Sequence, residues 1–320
     1  MKKIVSIGIV FSSLFLLIAC DDVLEEDITD DLVTTVAPKD KSNLDGNSVQ
    51  FRWDELQDAD DYRIQVIEET TQKRVLDSLV KGNSFTYGLN PGEYSWRIRG
   101  ENFAYTTAYS FPISFALAVS DDLTNQTVFL TSPSENFYTK DSNSIILTWD
   151  RIQAAKSYTV IVEKTLQNST STEINTPGVT NNDFTLNSSV LSEDAIYTWK
   201  VKAINDSGET KFSTRKIFLD TQVPNQPTLA SPNNDAKGSS PITFTWNIAS
   251  DTGEVQSTLS SIIEVAKDNG FTNIIETVPT SSTSQAITFS NKGDYYWRVK
   301  IIDKAGNSST FSEVRKITVE

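Results

Sequence analysis

The 320-residue chain contains no histidine and one cysteine, Cys20. No imidazole is present to act as a general base, to activate a serine or cysteine nucleophile, or to complete the common zinc sites. A single cysteine allows no intrachain disulfide and no thiolate metal centre. Carboxylates are the reactive groups left, 42 Asp and Glu against 28 Lys and Arg. Hydrolysis by carboxylates alone needs two acids held about 5–9.5 Å apart in a cleft. The segment Asp58-Ala59-Asp60-Asp61 lacks the alternating oxygen ligands and glycine of a calcium loop. The sequence therefore assigns no catalytic residue, no metal ligand and no cofactor.

Cys20 has a distinctive setting. Lys2 and Lys3 precede an apolar stretch from Ile4 to Ile18, and the small Ala19 stands before the cysteine. This is the pattern of a cleaved secretion signal, and the apolar stretch falls short of the roughly 20 residues that a membrane-spanning helix needs. Leu17-Ile18-Ala19-Cys20 resembles the bacterial lipobox. The resemblance implies removal of residues 1–19, lipidation of Cys20 and attachment to the membrane through it. One acyl chain holds only marginally, and the two or three of a lipoprotein hold firmly.

After Cys20 come Asp21, Asp22, Glu25, Glu26, Asp27, Asp30 and Asp31, with no base among them. Such a run reads as a solvated, self-repelling tether over 20–35, reaching roughly 50 Å at about 3.3 Å per residue. It also resembles the acidic export signal of Bacteroidota surface lipoproteins, which implies an outer-membrane lipoprotein facing the cell exterior. The formal net charge is −14 and grows more negative once Lys2 and Lys3 leave with the signal. That balance excludes a phosphate-binding footprint for nucleic acid and argues against docking of the protein surface on anionic lipid.

The six tryptophans define the architecture. Trp53, Trp149 and Trp246 each end an alternating stretch: Val49-Gln50-Phe51-Arg52-Trp53, Ile145-Ile146-Leu147-Thr148-Trp149 and Ile242-Thr243-Phe244-Thr245-Trp246. Trp96, Trp199 and Trp297 each follow a tyrosine two residues earlier, Tyr94, Tyr197 and Tyr295. Period-two alternation makes both kinds of stretch strands with one buried face. Each repeat opens on a proline (Pro38, Pro133, Pro232), suited to an edge strand, and closes on an aromatic-serine pair (Tyr109-Ser110, Phe212-Ser213, Phe311-Ser312). A period near 100 residues with several short strands is the length of one immunoglobulin-like sandwich.

These landmarks resemble fibronectin type III domains, as do Leu89-Asn90-Pro91-Gly92-Glu93-Tyr94, Asp303-Lys304-Ala305-Gly306-Asn307 and the linker Asp220-Thr221-Gln222-Val223-Pro224. The fold expected is all-β, three tandem sandwiches over 36–119, 127–220 and 224–320. The paired tryptophans are expected to face each other in the cores, with the tyrosines before them in the position of a tyrosine corner. The module serves as spacer, adhesin and accessory domain alike, so the fold does not choose a function.

Function in repeated sandwiches sits in loops, so the informative residues are those that one repeat has and the others lack. Phe103 and Tyr105 stand where the other repeats carry polar turns, and could stack on a sugar or take a partner's side chain. Phe137-Tyr138 occupy the first loop of repeat two and are expected to cover repeat three. Val265 aligns with Val66 and Val162, so the loop after Trp246 is lengthened by about six residues, placing Asp251 and Glu254 as candidate binding residues in a solvated loop. The function expected is non-catalytic: an extracellular binding or spacer protein whose partner is a glycan or a surface protein. The alternatives are a glycan-capture subunit of a polysaccharide-uptake system and, further off, a carboxylate-only glycosidase.

Overall fold

The computed structural model describes residues 25–320, and every regular element among them is a strand. Repeat one carries β1 (Thr35–Ala37), β2 (Ser42–Asp45), β3 (Ser48–Trp53), β4 (Asp61–Glu68), β5 (Lys73–Val80), β6 (Ser84–Gly88), β7 (Gly92–Glu101) and β8 (Ile113–Ala118). Repeat two carries β9 (Leu130–Ser132), β10 (Phe137–Thr139), β11 (Ser144–Trp149), β12 (Ser157–Leu166), β13 (Ser169–Val179), β14 (Asp183–Asn187), β15 (Ala195–Ile204) and β16 (Ser213–Leu219). Repeat three carries β17 (Thr228–Ser231), β18 (Ala236–Gly238), β19 (Ile242–Asn247), β20 (Ser260–Ala266), β21 (Ile274–Thr280), β22 (Ser284–Ile287), β23 (Gly293–Ile302) and β24 (Arg315–Val319).

Each repeat makes one three-stranded and one five-stranded sheet with the same order three times: β1-β3-β6 with β2-β8-β7-β4-β5, β9-β11-β14 with β10-β16-β15-β12-β13, and β17-β19-β22 with β18-β24-β23-β20-β21. The fold is three tandem immunoglobulin-like sandwiches. Most of repeat one forms one compact unit, and repeats two and three lie together in a second. The opening prolines follow β1, β9 and β17, where the chain leaves the small sheet to join the large one. A residue without an N–H ends the first ladder there, so the proline marks a change of sheet rather than sitting within an edge strand.

Alternation does what the sequence dictates. On β3, Val49, Phe51 and Trp53 are buried while Gln50 and Arg52 are exposed. On β15, Ala195, Tyr197, Trp199, Val201 and Ala203 line one core. The two tryptophans of each repeat sit on opposite sheets, all six of them buried. Their ring neighbours are other aromatics: Phe51 lies 5.2 Å from Trp96, Tyr62 5.4 Å from Trp53 and Phe244 4.9 Å from Trp297. Such edge and tilted contacts add about 0.5–1.5 kcal/mol each beyond area burial. Tyr197 and Tyr295 donate their hydroxyls to the carbonyls of Glu193 (2.9 Å) and Asn291 (2.7 Å), four residues upstream, which is tyrosine-corner geometry.

The aromatic-serine pairs have a structural task. Ser110 and Ser312 accept the N–H groups of Ile98 and Val299, and thereby replace ladder partners where the chain steps away from β7 and β23. Tyr109 underlies Arg97 and Arg99, and Phe311 underlies Arg298 and Lys300.

Candidate functional site

Cys20 and the signal segment 1–19 lie outside the described residues. The segment that follows departs from the expected free tether. Ile28 is 1% exposed and Val33 is also buried. The Glu26 carbonyl accepts from Asn102 Nδ2 (2.9 Å), Asp31 N–H donates to the Ile28 carbonyl (3.1 Å) and Asp54 N–H to the Thr34 carbonyl (2.9 Å). The acids count as solvated, but an isoleucine and a valine between them find apolar cover on repeat one. From Glu26 onward this segment is part of the first sandwich.

Phe103 and Tyr105 are carried between β7 and β8, as the sequence placed them. Asn102 shapes this turn: its Oδ1 accepts from the N–H groups of Ala104 (3.2 Å) and Tyr105 (2.7 Å), and its own N–H donates to the Tyr105 carbonyl (3.0 Å). Asn102 Nδ2 spans the Glu26 and Asp58 carbonyls, fixing the loop to its neighbours. Phe103 is 93% exposed at the tip of this anchored turn, and Tyr105 is partly exposed beside it. A large apolar ring held in water by a fixed backbone turn is available to a planar sugar face or a partner side chain.

Phe137 and Tyr138 form a strand, not a loop. β10 runs parallel to β16, Phe137 packs on the core of repeat two and Tyr138 stacks on Phe218 at 4.4 Å. The outer face of Tyr138 carries the Lys304 ammonium of repeat three at 5.3 Å. One of the two aromatics therefore serves its own core and the other meets repeat three.

The lengthened loop of repeat three goes together with a tyrosine that this repeat lacks. In repeats one and two, Tyr62 and Tyr158 pack on the first tryptophan, and their hydroxyls accept the Leu56 N–H (2.7 Å) and the Ile152 N–H (2.9 Å) of the loop between the third and fourth strands. At the matching position of repeat three stands Ser261, whose Oγ accepts instead from Trp246 Nε1 (2.9 Å). Without the tyrosine clip the loop extends, and Val255 buries itself while Asp251 and Glu254 turn toward repeat two. Glu254 Oε1 accepts the Gln167 N–H of repeat two (2.6 Å). Asp251 is buried and accepts from Thr252 N–H and from Ser257 N–H, 2.9 Å each. Both residues were expected in a solvated loop open to a partner; both are engaged at the junction of repeats two and three.

Asp251 has company there. Asp220, directly after β16, and Asp303, directly after β23, bring carboxylates so that one oxygen from each of the three lies within 4.8 Å of the others, all three residues buried. Asp303 accepts from Asn307 N–H (2.8 Å) and Nδ2 (2.8 Å), and Nδ2 also donates to the Asp220 carbonyl (2.9 Å). Asp220 Oδ1 accepts the Gln222 N–H (3.0 Å), while Oδ2 has no partner and the residue is 0% exposed. Burial pushes the Asp220 carboxyl up to about 6, with the charges of Asp303, Asp251 and Asp194 acting in the same direction. The corresponding aspartates before the other repeats, Asp27 and Asp122, are exposed, and Thr29 and Thr124 hold them below the usual carboxylate value through hydroxyl and backbone hydrogen bonds.

Sequence reasoning missed this cluster because its members are scattered over 84 positions and none belongs to a contiguous ligand motif. A legible signal existed: Asp303 stands where repeats one and two have Asn102 and Asn205.

No family model and no curated protein matches the chain. Among solved structures it is similar to the FN1–FN3 domains of chicken CNTN1, at 18% identity and a TM-score of 0.46, covering 90% of this chain and 97% of that one. It is also similar to the fibronectin(III)-like modules of Clostridium thermocellum CbhA, at 14% identity and a TM-score of 0.37, covering 61% and 94%. A two-domain fibronectin type III segment of chicken tenascin matches at 13% identity and a TM-score of 0.22, covering 58% and 97%. These likenesses concern tandem fibronectin type III-like architecture.

Proposed function

We propose that this protein is a non-catalytic surface lipoprotein, anchored in the outer membrane through lipidated Cys20, whose three sandwiches act as a spacer and binding module. The observation that carries the spacer reading is the junction of repeats two and three. Four polar links cross it: Asn307 Nδ2 to the Asp220 carbonyl, Gln167 N–H to Glu254, Lys140 Nζ to the Gly306 carbonyl (2.8 Å) and Thr252 Oγ1 to the Val223 carbonyl (3.1 Å). Interdomain motion is the default for linked modules, and links of this kind oppose it. The Asp220, Asp251 and Asp303 carboxylates are buried, so this cluster offers a sugar no open cleft. Growth with an alkyne-tagged palmitate tests the anchor. The wild-type chain should take up label and fractionate with membranes, and Cys20→Ala should lose both; an unlabelled wild-type chain overturns the reading.

A second reading, glycan capture, is favoured by Phe103, exposed on a turn that Asn102 fixes. Retention on polysaccharide affinity gels tests it. Phe103→Ala/Tyr105→Ala should elute early with an unchanged melting temperature, since neither ring is buried; equal retention of variant and wild type removes this loop from the proposal.

A further inference from the structure

We propose that Asp220, Asp251 and Asp303 form a binding site for a hard divalent cation of the calcium class at the junction of repeats two and three. Two oxygens bound to one Ca2+ at about 2.3–2.6 Å stand no more than about 5 Å apart. The three carboxylate oxygens, within 4.8 Å of one another, therefore fit one coordination sphere. An all-oxygen donor set without imidazole or thiolate selects hard cations over zinc or copper.

The second observation is the orphaned oxygen. Asp220 Oδ2 has no hydrogen-bond partner although the residue is fully buried, and it belongs to the carboxylate that meets the other two. A buried acceptor left bare is costly, more so when ionised. None of the ion pairs among the described residues includes Asp220, Asp251 or Asp303, so no protein cation answers the three charges. A carboxylate has about four lone-pair sites. The hydrogen bonds given above leave sites free on each of the three, so coordination does not require existing bonds to break.

Comparison within the chain points the same way. Asn102 Nδ2 donates to the Glu26 and Asp58 carbonyls, and Asn205 Nδ2 donates to the Asp121 (2.8 Å) and Ala154 (3.1 Å) carbonyls. In both repeats one amide ties the segment before the repeat to the loop after its first tryptophan. In repeat three Asp303, an acceptor only, stands at the asparagine's position, the link to the preceding segment passes to Asn307 Nδ2, and the two segments Asp303 faces each present a carboxylate, Asp220 and Asp251. The Asn307 amide serves Asp303 and the Asp220 carbonyl but leaves Asp220 Oδ2 bare, and a cation answers that oxygen. A cation there ties the lengthened loop to the linker and the turn after β23, which the Asn307 amide already joins. It does not depend on where the chain is displayed.

The test is isothermal titration of CaCl2 into the full chain, freed of metal with EDTA and dialysed at pH 7.5, with MgCl2 in parallel. One equivalent of Ca2+ should bind, with a dissociation constant of the order of 10⁻⁴–10⁻³ M typical of extracellular modules, and Mg2+ more weakly. Asp303→Asn and Asp251→Asn should each abolish the binding while keeping the wild-type circular dichroism spectrum. Asp303→Asn restores the residue that repeats one and two use, so at least this variant is expected to fold. The loop around Gly253 should also become several-fold slower to cleave by protease when Ca2+ is added, in the wild type only. Absence of Ca2+ binding up to about 10 mM, or binding unaltered in Asp303→Asn, overturns the proposal.

Discussion

Ile28→Ala tests whether the segment after the anchor is part of the first sandwich. The substitution removes three carbons from a side chain that is almost wholly buried. At about 0.8 kcal/mol per buried CH2 the transfer loss is about 2.4 kcal/mol, and the cavity left behind takes the total into the range of about 2–5 kcal/mol. Local opening should rise accordingly, by about 50-fold or more at 1.4 kcal/mol per tenfold. The reporter is the Asp31 amide, which donates to the Ile28 carbonyl, and its hydrogen-exchange protection should fall by that factor. Leu32→Ala, at a half-exposed neighbour, is the control and should change protection by less than about threefold. Equal protection in Ile28→Ala and wild type would refute the docking and restore the long tether.

In the absence of divalent cations, Asp220 makes the junction pH-sensitive. Its carboxyl lies at about 6 in the folded chain against an ordinary 3.8, so between these values the folded state holds more protons and stability falls as pH rises. The groups that face it are the Asp303, Asp251 and Asp194 carboxylates and the Gln222 N–H, with Lys140 bonded to the Gly306 carbonyl and Lys304 over Tyr138 nearby. At about 1.4 kcal/mol per pH unit the effect is about 2–3 kcal/mol, present in full above the folded value. Urea midpoints in EDTA should be higher at pH 5 than at pH 7.5 for the wild type and nearly level for Asp220→Asn; a wild-type midpoint that climbs with pH contradicts this. Tyr295→Phe deletes the 2.7 Å hydrogen bond to the Asn291 carbonyl and should cost about 0.5–1.5 kcal/mol by urea unfolding, with an unchanged midpoint counting against the tyrosine-corner assignment.

The sandwich fold was legible because its signals are local. Alternation around Trp53, Trp149 and Trp246 places one face of each strand inside, and Val66, Val162 and Val265 pair with Trp96, Trp199 and Trp297, the register that the lengthened loop was read from. The exposed place of Phe103 followed from its position between two strands. Long-range partners were not legible. The acids of 25–31 obscured Ile28, because composition over a window averages away one buried side chain. Asp251 and Glu254 look like any solvated loop until repeat two is set against them. Tyr138 sits in a segment that reads as a turn, yet parallel pairing with β16, a partner some 80 residues away, makes it a strand. The aspartate cluster needs three turns to converge, and only the exchange of asparagine for aspartate at position 303 betrays it in the sequence.

Protease treatment of intact cells, followed by detection of this chain, tests surface display most directly. Cleavage on intact cells is the predicted result and joins the lipid anchor to an outward-facing binding or spacer role. Protection on intact cells, with cleavage only after lysis, would contradict it and place the three sandwiches in the periplasm.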